Sequence, residues 1–162
     1  MDKSINSDLT RQAAERFKLL RVHWTAFAAR RLRPLGIVPN QAVFLRTLHD
    51  LGPCSLSEIA AGTHIDPAAV VRLADSLTER GWVARQEHPT DRRRWRVCLS
   101  PGGNKMAQKC NAIFEVLHRE IFSPLTAEEL ARFNDLLGKL WTPHDPDKPG
   151  SEPKQTKKRT KP

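Results

Sequence analysis

"HPTDRRRWRVCLSPGG", His88 to Gly103, crowds Arg92, Arg93, Arg94 and Arg96 beside a turn and then alternates into Pro101, Gly102 and Gly103. Like charges this close repel in isolation, so the cluster makes physical sense beside an anion. The preceding "WVARQEH" reads as a strand and "PTDR" as its turn region. Trp95, Val97 and Leu99 then form the inward face of a return strand, with Arg94, Arg96 and Cys98 on the other.

Immediately upstream, "CSLSEIAAGTHIDPAAVVRLADSLTERGWV" holds two short helices with clear start signals. Ser55 and Glu58 have the spacing of a capping box, in which each satisfies a backbone N–H of the other's segment. Asp66 followed by Pro67 is an N-cap with proline at the first helical position, and Gly81 supplies the stop. The short turn around Thr63, His64 and Ile65 brings the two helices together steeply, as in a helix-turn-helix. Val70, Leu73, Ala74 and Leu77 take the inner side of the second helix, while Ala68, Ala69, Arg72, Ser76 and Glu79 face out, with Val71 near the border.

Further out, Leu9, Ala13, Phe17, Leu20, Trp24 and Phe27 recur at steps of three and four, one stripe of a long helix that Pro34 stops. So long a helix at the start of a small domain is expected to pack partly on another chain. Pro39 opens a second helix through Val43, Phe44 and Leu48, closed by Gly52 and Pro53. Beyond Gly103, Met106, Cys110, Ile113, Leu117 and Ile121 make an amphipathic helix, and Thr126 and Glu129 cap a last one carrying Leu130, Phe133, Leu137, Leu140 and Trp141. Leu117 and Leu137 are expected on the surfaces that join two chains.

From Thr142 the sequence turns to proline, lysine and polar residues, which cannot bury enough apolar surface to fold. This tail carries +3 of the formal +9 charge of the 162 residues, leaving +6 on residues 1–141. The expected organisation is therefore residues 1–35 as an N-terminal dimerisation helix, 36–100 as a winged helix-turn-helix and 101–141 as C-terminal dimerisation helices. Residues 142–162 form a disordered basic tail, read as a solvated end or as an added DNA-binding element. The fold class is mainly α with a small β-hairpin wing.

A basic chain with a pI near 10 implies an anionic partner, nucleic acid before membrane. No window of about 18 apolar residues is present, and the N-terminus lacks the apolar centre of a secretion signal, so a cytoplasmic protein is expected. Cys54, Cys98 and Cys110 are widely spaced without a CxxC and read as reduced thiols. The six histidines, His23, His49, His64, His88, His118 and His144, show no pair at four-residue spacing, so no metal site and no cofactor are expected. There is no HExxH, no G-x-S-x-G and no phosphate-cradling glycine loop, which excludes the common enzyme classes.

The helix from Pro67 would enter a major groove, its small exposed residues Pro67, Ala68, Ala69 and Val71 allowing close approach. Arg72 and Ser76 are its hydrogen-bonding side chains, and Arg72 suits a guanine edge or a phosphate equally. Beside such a helix the wing arginines meet phosphates and the negative potential of a narrow minor groove, and release counterions.

At this point the sequence resembles the MarR family of bacterial transcriptional regulators, over roughly residues 10 to 141. Asp91, Arg93, Val97, Leu99, Ser100 and Gly103 of "DRRRWRVCLSPGG" fit the family's wing pattern. Gln41 and Leu45 of "VPNQAVFLRTL" fit its second helix, and "LADSLTERGWVAR" the end of its recognition helix. The chain departs from the pattern at Val38, where a capping Thr or Ser is usual, and at the apolar Ala68, Ala69 and Val71, which turn base readout toward thymine methyls and DNA shape.

The resemblance implies a homodimer bound to a pseudo-palindromic operator on double-stranded DNA, with half-sites about one helical turn apart. It implies that Asp91 orients Arg93 in the minor groove while Arg92 or Arg94 meets backbone phosphate, and that the protein is a repressor. It further implies release by a small aromatic carboxylate or phenolic ligand. Trp24 and Phe27 would supply flat walls for it, and Arg21, His23 and His49 the polar partners, unless Trp24 and Phe27 pack in the core or dimer. A winged-helix module that binds RNA or protein, without an effector, is the alternative.

Overall fold

The structure is a computed structural model that describes residues 7–88 and 91–140, and the side chains of 7–87 and 95–140. In chain order it has helix α1 (Ser7–Leu32), a 3₁₀ turn (Arg33–Leu35), α2 (Pro39–Leu51), α3 (Leu56–Thr63) and α4 (Pro67–Glu79). Strands β1 (Val83–His88) and β2 (Asp91–Leu99) follow, then α5 (Pro101–Phe122) and α6 (Ala127–Leu140). Two compact units divide after Ile121. The winged helix-turn-helix expected from sequence lies wholly within the first. Residues 142–162, read as a disordered basic tail, and Trp141 lie outside the described residues.

Local chemistry accounts for the helix bounds. The Ser55 N–H donates to Glu58 Oε2 at 2.8 Å while the Glu58 N–H donates to Ser55 Oγ at 3.2 Å, closing the box at the start of α3. Asp66 caps α4 by accepting from the Ala69 N–H at 3.1 Å. His64 ends α3 with φ of 54°, a left-handed conformation that histidine tolerates better than branched residues. Thr63 stitches the turn: its hydroxyl donates to the Ile59 carbonyl at 2.8 Å and accepts from the Ile65 N–H at 3.2 Å. Val38, with no oxygen to offer, caps α2 by half a box alone, its N–H donating to Gln41 Oε1 at 3.3 Å.

The core of the first unit is built on Phe44, Leu45 and Leu48 of α2, closed by Leu32, Ile59, Val70, Leu77, Val97 and Leu117. Leu117, placed by sequence on a surface between chains, is fully buried in the chain's own core. An apolar stripe says that a face is covered, and here α5 turns that face inward. The α1 stripe behaves differently along its length. Trp24 and Phe27 pack against the core, but Leu9 and Phe17 are 62% and 58% exposed.

In the wing, Val83 pairs with Leu99 and Arg85 with Val97, and an isolated bridge from Cys54 to Val97 ties the hairpin to the α2–α3 connection. Pairing runs on to Glu87 opposite Trp95 and then jumps to His88 opposite Asp91, so Arg92, Arg93 and Arg94 are an insertion in β2. The turn region is accordingly shorter than "PTDR", because Asp91 and Arg92 already belong to the strand. Trp95, expected to face inward, is 59% exposed. Two residues of strand cover about 7 Å, and the step from buried Val97 to Trp95 carries the ribbon past the helices that would have covered it.

The α5 start is fastened to the wing. Gly81, at φ of 69°, terminates α4, and its carbonyl accepts from Ser100 Oγ at 2.6 Å. Ser100 Oγ in turn accepts from the Gly103 N–H at 2.9 Å, and the Ser100 N–H donates to the Trp82 carbonyl at 3.0 Å. The second unit contains α6, where the Thr126 N–H donates to Glu129 Oε2 at 2.9 Å and the Glu129 N–H to Thr126 Oγ1 at 3.2 Å. The Thr126 N–H, joined by the Thr126 hydroxyl donating to the same oxygen at 3.0 Å, holds the Glu129 carboxyl below its ordinary range. Phe122 and Phe133 pack with ring centroids 6.1 Å apart, while Leu136 and Leu140 are exposed.

Candidate nucleic-acid interface

The outer face of α4 is assembled by the cap at Asp66 and the burial of Val70, Ala74 and Leu77 behind it. Pro67, Ala68, Val71 and Arg72 are exposed on its first two turns, and Ala69 is half-buried. Ser76 is also half-buried, its hydroxyl accepting from Gln41 Nε2 at 3.2 Å. Gln41 is a hub that sequence reading noted without assigning it a task. Its Oε1 accepts from the Val38 N–H and, at 3.4 Å, from Arg80 Nη1, which also donates to the Gly36 carbonyl at 2.9 Å. The Arg80 guanidinium lies 3.8 Å over the Trp82 ring. These bonds lock the angle of α4 against α2, so Ser76 acts through position as much as through any contact of its own.

Farther along α4, Asp75 is paired with Arg85 of β1, which couples the helix to the wing. In the wing, β1 is the strand in contact with α4, and β2, paired to it, carries Arg96, half-buried. Asp91, Arg92, Arg93 and Arg94 lie in β2, and their side chains fall outside the described residues.

The residues expected to hold a ligand separate into two groups. Arg21, His23 and His49 are exposed, and His49 Nδ1 lies 3.3 Å from Asp50 Oδ1, its neighbour in sequence. Trp24 and Phe27 are half-buried on the core side of α1. Trp24 stands 5.3 Å from the ring of His118, which is 6.2 Å from Phe114. Over Phe114, at 4.4 Å, sits the guanidinium of Arg46, whose Nε donates to Asn111 Oδ1 at 2.7 Å. Phe27 meets Arg31 at 4.7 Å, and Arg31 pairs with Glu120 at 2.6 Å. The sequence signal for this cluster was present: Asn111, Phe114 and His118 recur at steps of three and four on α5, beside the stripe that sequence reading followed.

Burial, reinforced by Arg46 and opposed by Glu115, pushes the His118 imidazole below its ordinary 6.5. Between that lowered value and 6.5 the unfolded chain binds a proton that the native chain refuses, so folding stability is complete above pH 6.5 and falls as pH drops through it. Urea unfolding across this range is expected to show the loss, and His118→Gln to flatten it. The same slope in the variant would place the titrating group elsewhere.

Of the three thiols, Cys54 and Cys110 are buried and chemically quiet, while Cys98 is half-buried. Desolvation, with Glu58 adding to it, pushes Cys54 up to about 11, against the pull of Arg96. Burial raises Cys110 as well, against Arg46, so neither thiol offers thiolate at neutral pH. Among the described residues no three His, Cys, Asp or Glu side chains gather as a metal site, and no helix is long and apolar enough to cross a membrane.

A helix-turn-helix with a basic hairpin packed beside its second helix defines a DNA-binding winged-helix regulator. The family model described as the MarR family matches residues 37–95, which span α2 to β2. Solved structures agree over a longer stretch. A cysteine-to-serine variant of E. coli MarR in complex with operator DNA is 26% identical, with a TM-score of 0.75, covering 86% of this chain and 100% of that one. A probable transcriptional regulator from Pseudomonas aeruginosa is 27% identical with a TM-score of 0.72, covering 82% and 98%. BpsR of Bordetella bronchiseptica, whose DNA binding is regulated by 6-hydroxynicotinic acid, is 26% identical with a TM-score of 0.71, covering 80% and 98%. The chain is thus similar to the MarR family of winged-helix transcriptional regulators, over residues 37–95 by the family model and over most of its length in fold.

Proposed function

We propose that this regulator acts in the cytoplasm as a homodimeric repressor that binds a pseudo-palindromic operator and is released by a small aromatic acid or phenol. The observation that carries the reading is the agreement with an operator-bound relative over most of the chain. In this reading α4 lies in the major groove with Pro67, Ala68, Ala69, Val71 and Arg72 toward the bases and Ser76 holding the helix to Gln41. Asp91 orients Arg93 into the minor groove, and Arg92 or Arg94 meets phosphate.

Dimerisation is supported by the exposed stripe of Leu9, Phe17 and Leu20, which continues the line of Trp24 and Phe27 beyond the reach of the chain's own core. In the second unit, Leu136 and Leu140 of α6 supply exposed apolar surface of the same kind. Effector binding is supported by the aromatic faces of Trp24 and Phe27, with Arg21, His23 and His49 as the polar partners the sequence offers and Arg46, over Phe114 and linked to Trp24 through His118, as a further cation. The ligand control of BpsR favours the same class of molecule for this chain.

Fluorescence anisotropy on duplex DNA from upstream of its own gene, against scrambled duplex across a salt series, tests the reading. Specific binding is expected to be about a thousandfold tighter and steeply salt-dependent. Arg93→Ala is expected to weaken it about tenfold or more with the fold intact. Equal binding to both duplexes would defeat the upstream operator, and an undiminished Arg93→Ala would remove the wing from the interface.

A further inference from the structure

The first two turns of α4 present Pro67, Ala68, Val71 and Arg72 to solvent, with Val71 43% exposed. A cleft of about 450 Å³ opens beside them, lined by Ser57, Ala60 and Ala61 of α3 and by Ile65, Pro67 and Val71. Arg72 is the only long polar side chain on these turns. The next turns along the same face carry Asp75 and Glu79, whose charge disfavours approach to phosphates, so the N-terminal half is the part that fits closely against DNA.

A major-groove base edge offers hydrogen-bonding atoms on every pair and, on thymine alone, a methyl group. Pressing the amino group of cytosine or the O6 and N7 of guanine against Val71 and Ala68 would strip their water and return no partner. A thymine methyl gains from the same burial. Resting on the reading that α4 enters operator DNA, we propose that Ala68 and Val71 select thymine by its 5-methyl group. The methyl enters the mouth of the α3–α4 cleft, and Arg72 makes the directed polar contact beside it.

The methyl can be removed without altering base pairing, by replacing thymine with uracil. Duplexes are selected from a random library on the full-length wild-type protein, and the winning duplex is remade with uracil at single positions. Thymine is expected at one or two fixed positions beside the base or phosphate read by Arg72. Uracil there is expected to weaken wild-type binding about fourfold per methyl. In Val71→Ser, an exposed substitution that leaves the core alone, the thymine and uracil duplexes are expected to bind nearly alike.

Specific binding that is indifferent to uracil at every position, or a selection that fixes only G·C pairs, would overturn the proposal while leaving the regulator intact. No enrichment of any sequence would overturn the proposal and the DNA-binding reading together. A uracil penalty that persists unchanged in Val71→Ser and in Ala68→Ser would assign the methyl to other residues and overturn it as well.

Discussion

Gly103→Ala is expected to destabilise the protein by more than about 3 kcal/mol, a large share of the stability of a single domain. A Cβ at Gly103 would lie 1.8 Å from the Trp82 carbonyl oxygen, well inside van der Waals contact. Relief is blocked on both sides. The Trp82 carbonyl accepts from the Ser100 N–H, and Gly103 is held by its own bond to Ser100 Oγ, so moving either breaks the junction of wing and α5. Thermal unfolding checks this, and Gly102→Ala is the control. There the nearest atoms to a Cβ are 3.7 Å and 3.8 Å away, so little change is expected. A Gly103→Ala protein as stable as the control would mean that the α5 start is free to shift.

The second large effect separates core from interface. Leu117→Asp is expected to cost on the order of 4 kcal/mol or more and to yield unfolded chain, because the carboxylate would enter a fully buried site. Phe17→Asp, on the exposed part of the α1 stripe, is expected to leave the chain folded and to shift it from dimer to monomer. Circular dichroism with sedimentation reads both. A folded monomer from Leu117→Asp would return that residue to the surface between chains, and an intact dimer from Phe17→Asp would remove the α1 stripe from the interface.

Much of the fold was legible because its signals are local. The boxes at Ser55 and Glu58, and at Thr126 and Glu129, close within one turn of helix, and Asp66 with Pro67 starts α4 in the same way. Each is a contest between a side chain and water for a nearby backbone N–H, decided over three or four residues. Gly103 was legible as part of a pattern, although the reason for it was not. The carbonyl it accommodates belongs to Trp82, on the far side of the hairpin.

The candidate site was legible in part. Arg72 is exposed on α4 as its helical phase required, and Val71, read near the border, is exposed as well, but Ser76, expected to face out, is half-buried and bonded to Gln41, 35 residues away. Trp24 and Phe27 were found by periodicity, whereas Arg21 and His23, taken as polar partners for them, are exposed. Arg21 and His23 are near Trp24 in sequence, but Arg46 is brought to Phe114 and Asn111 only when α2 packs on α5.

By itself, then, the sequence determined the order and limits of the elements, the basic character of the wing and the small apolar face of α4, because charge, capping and phase are properties of neighbouring residues. The tertiary structure alone decided which stripe is core and which stays exposed. Leu117 and Phe17 obey the same helical periodicity, and one is buried while the other is 58% exposed. Periodicity states that an apolar face must leave water. What covers that face depends on the distances between elements, and a one-dimensional pattern does not contain them.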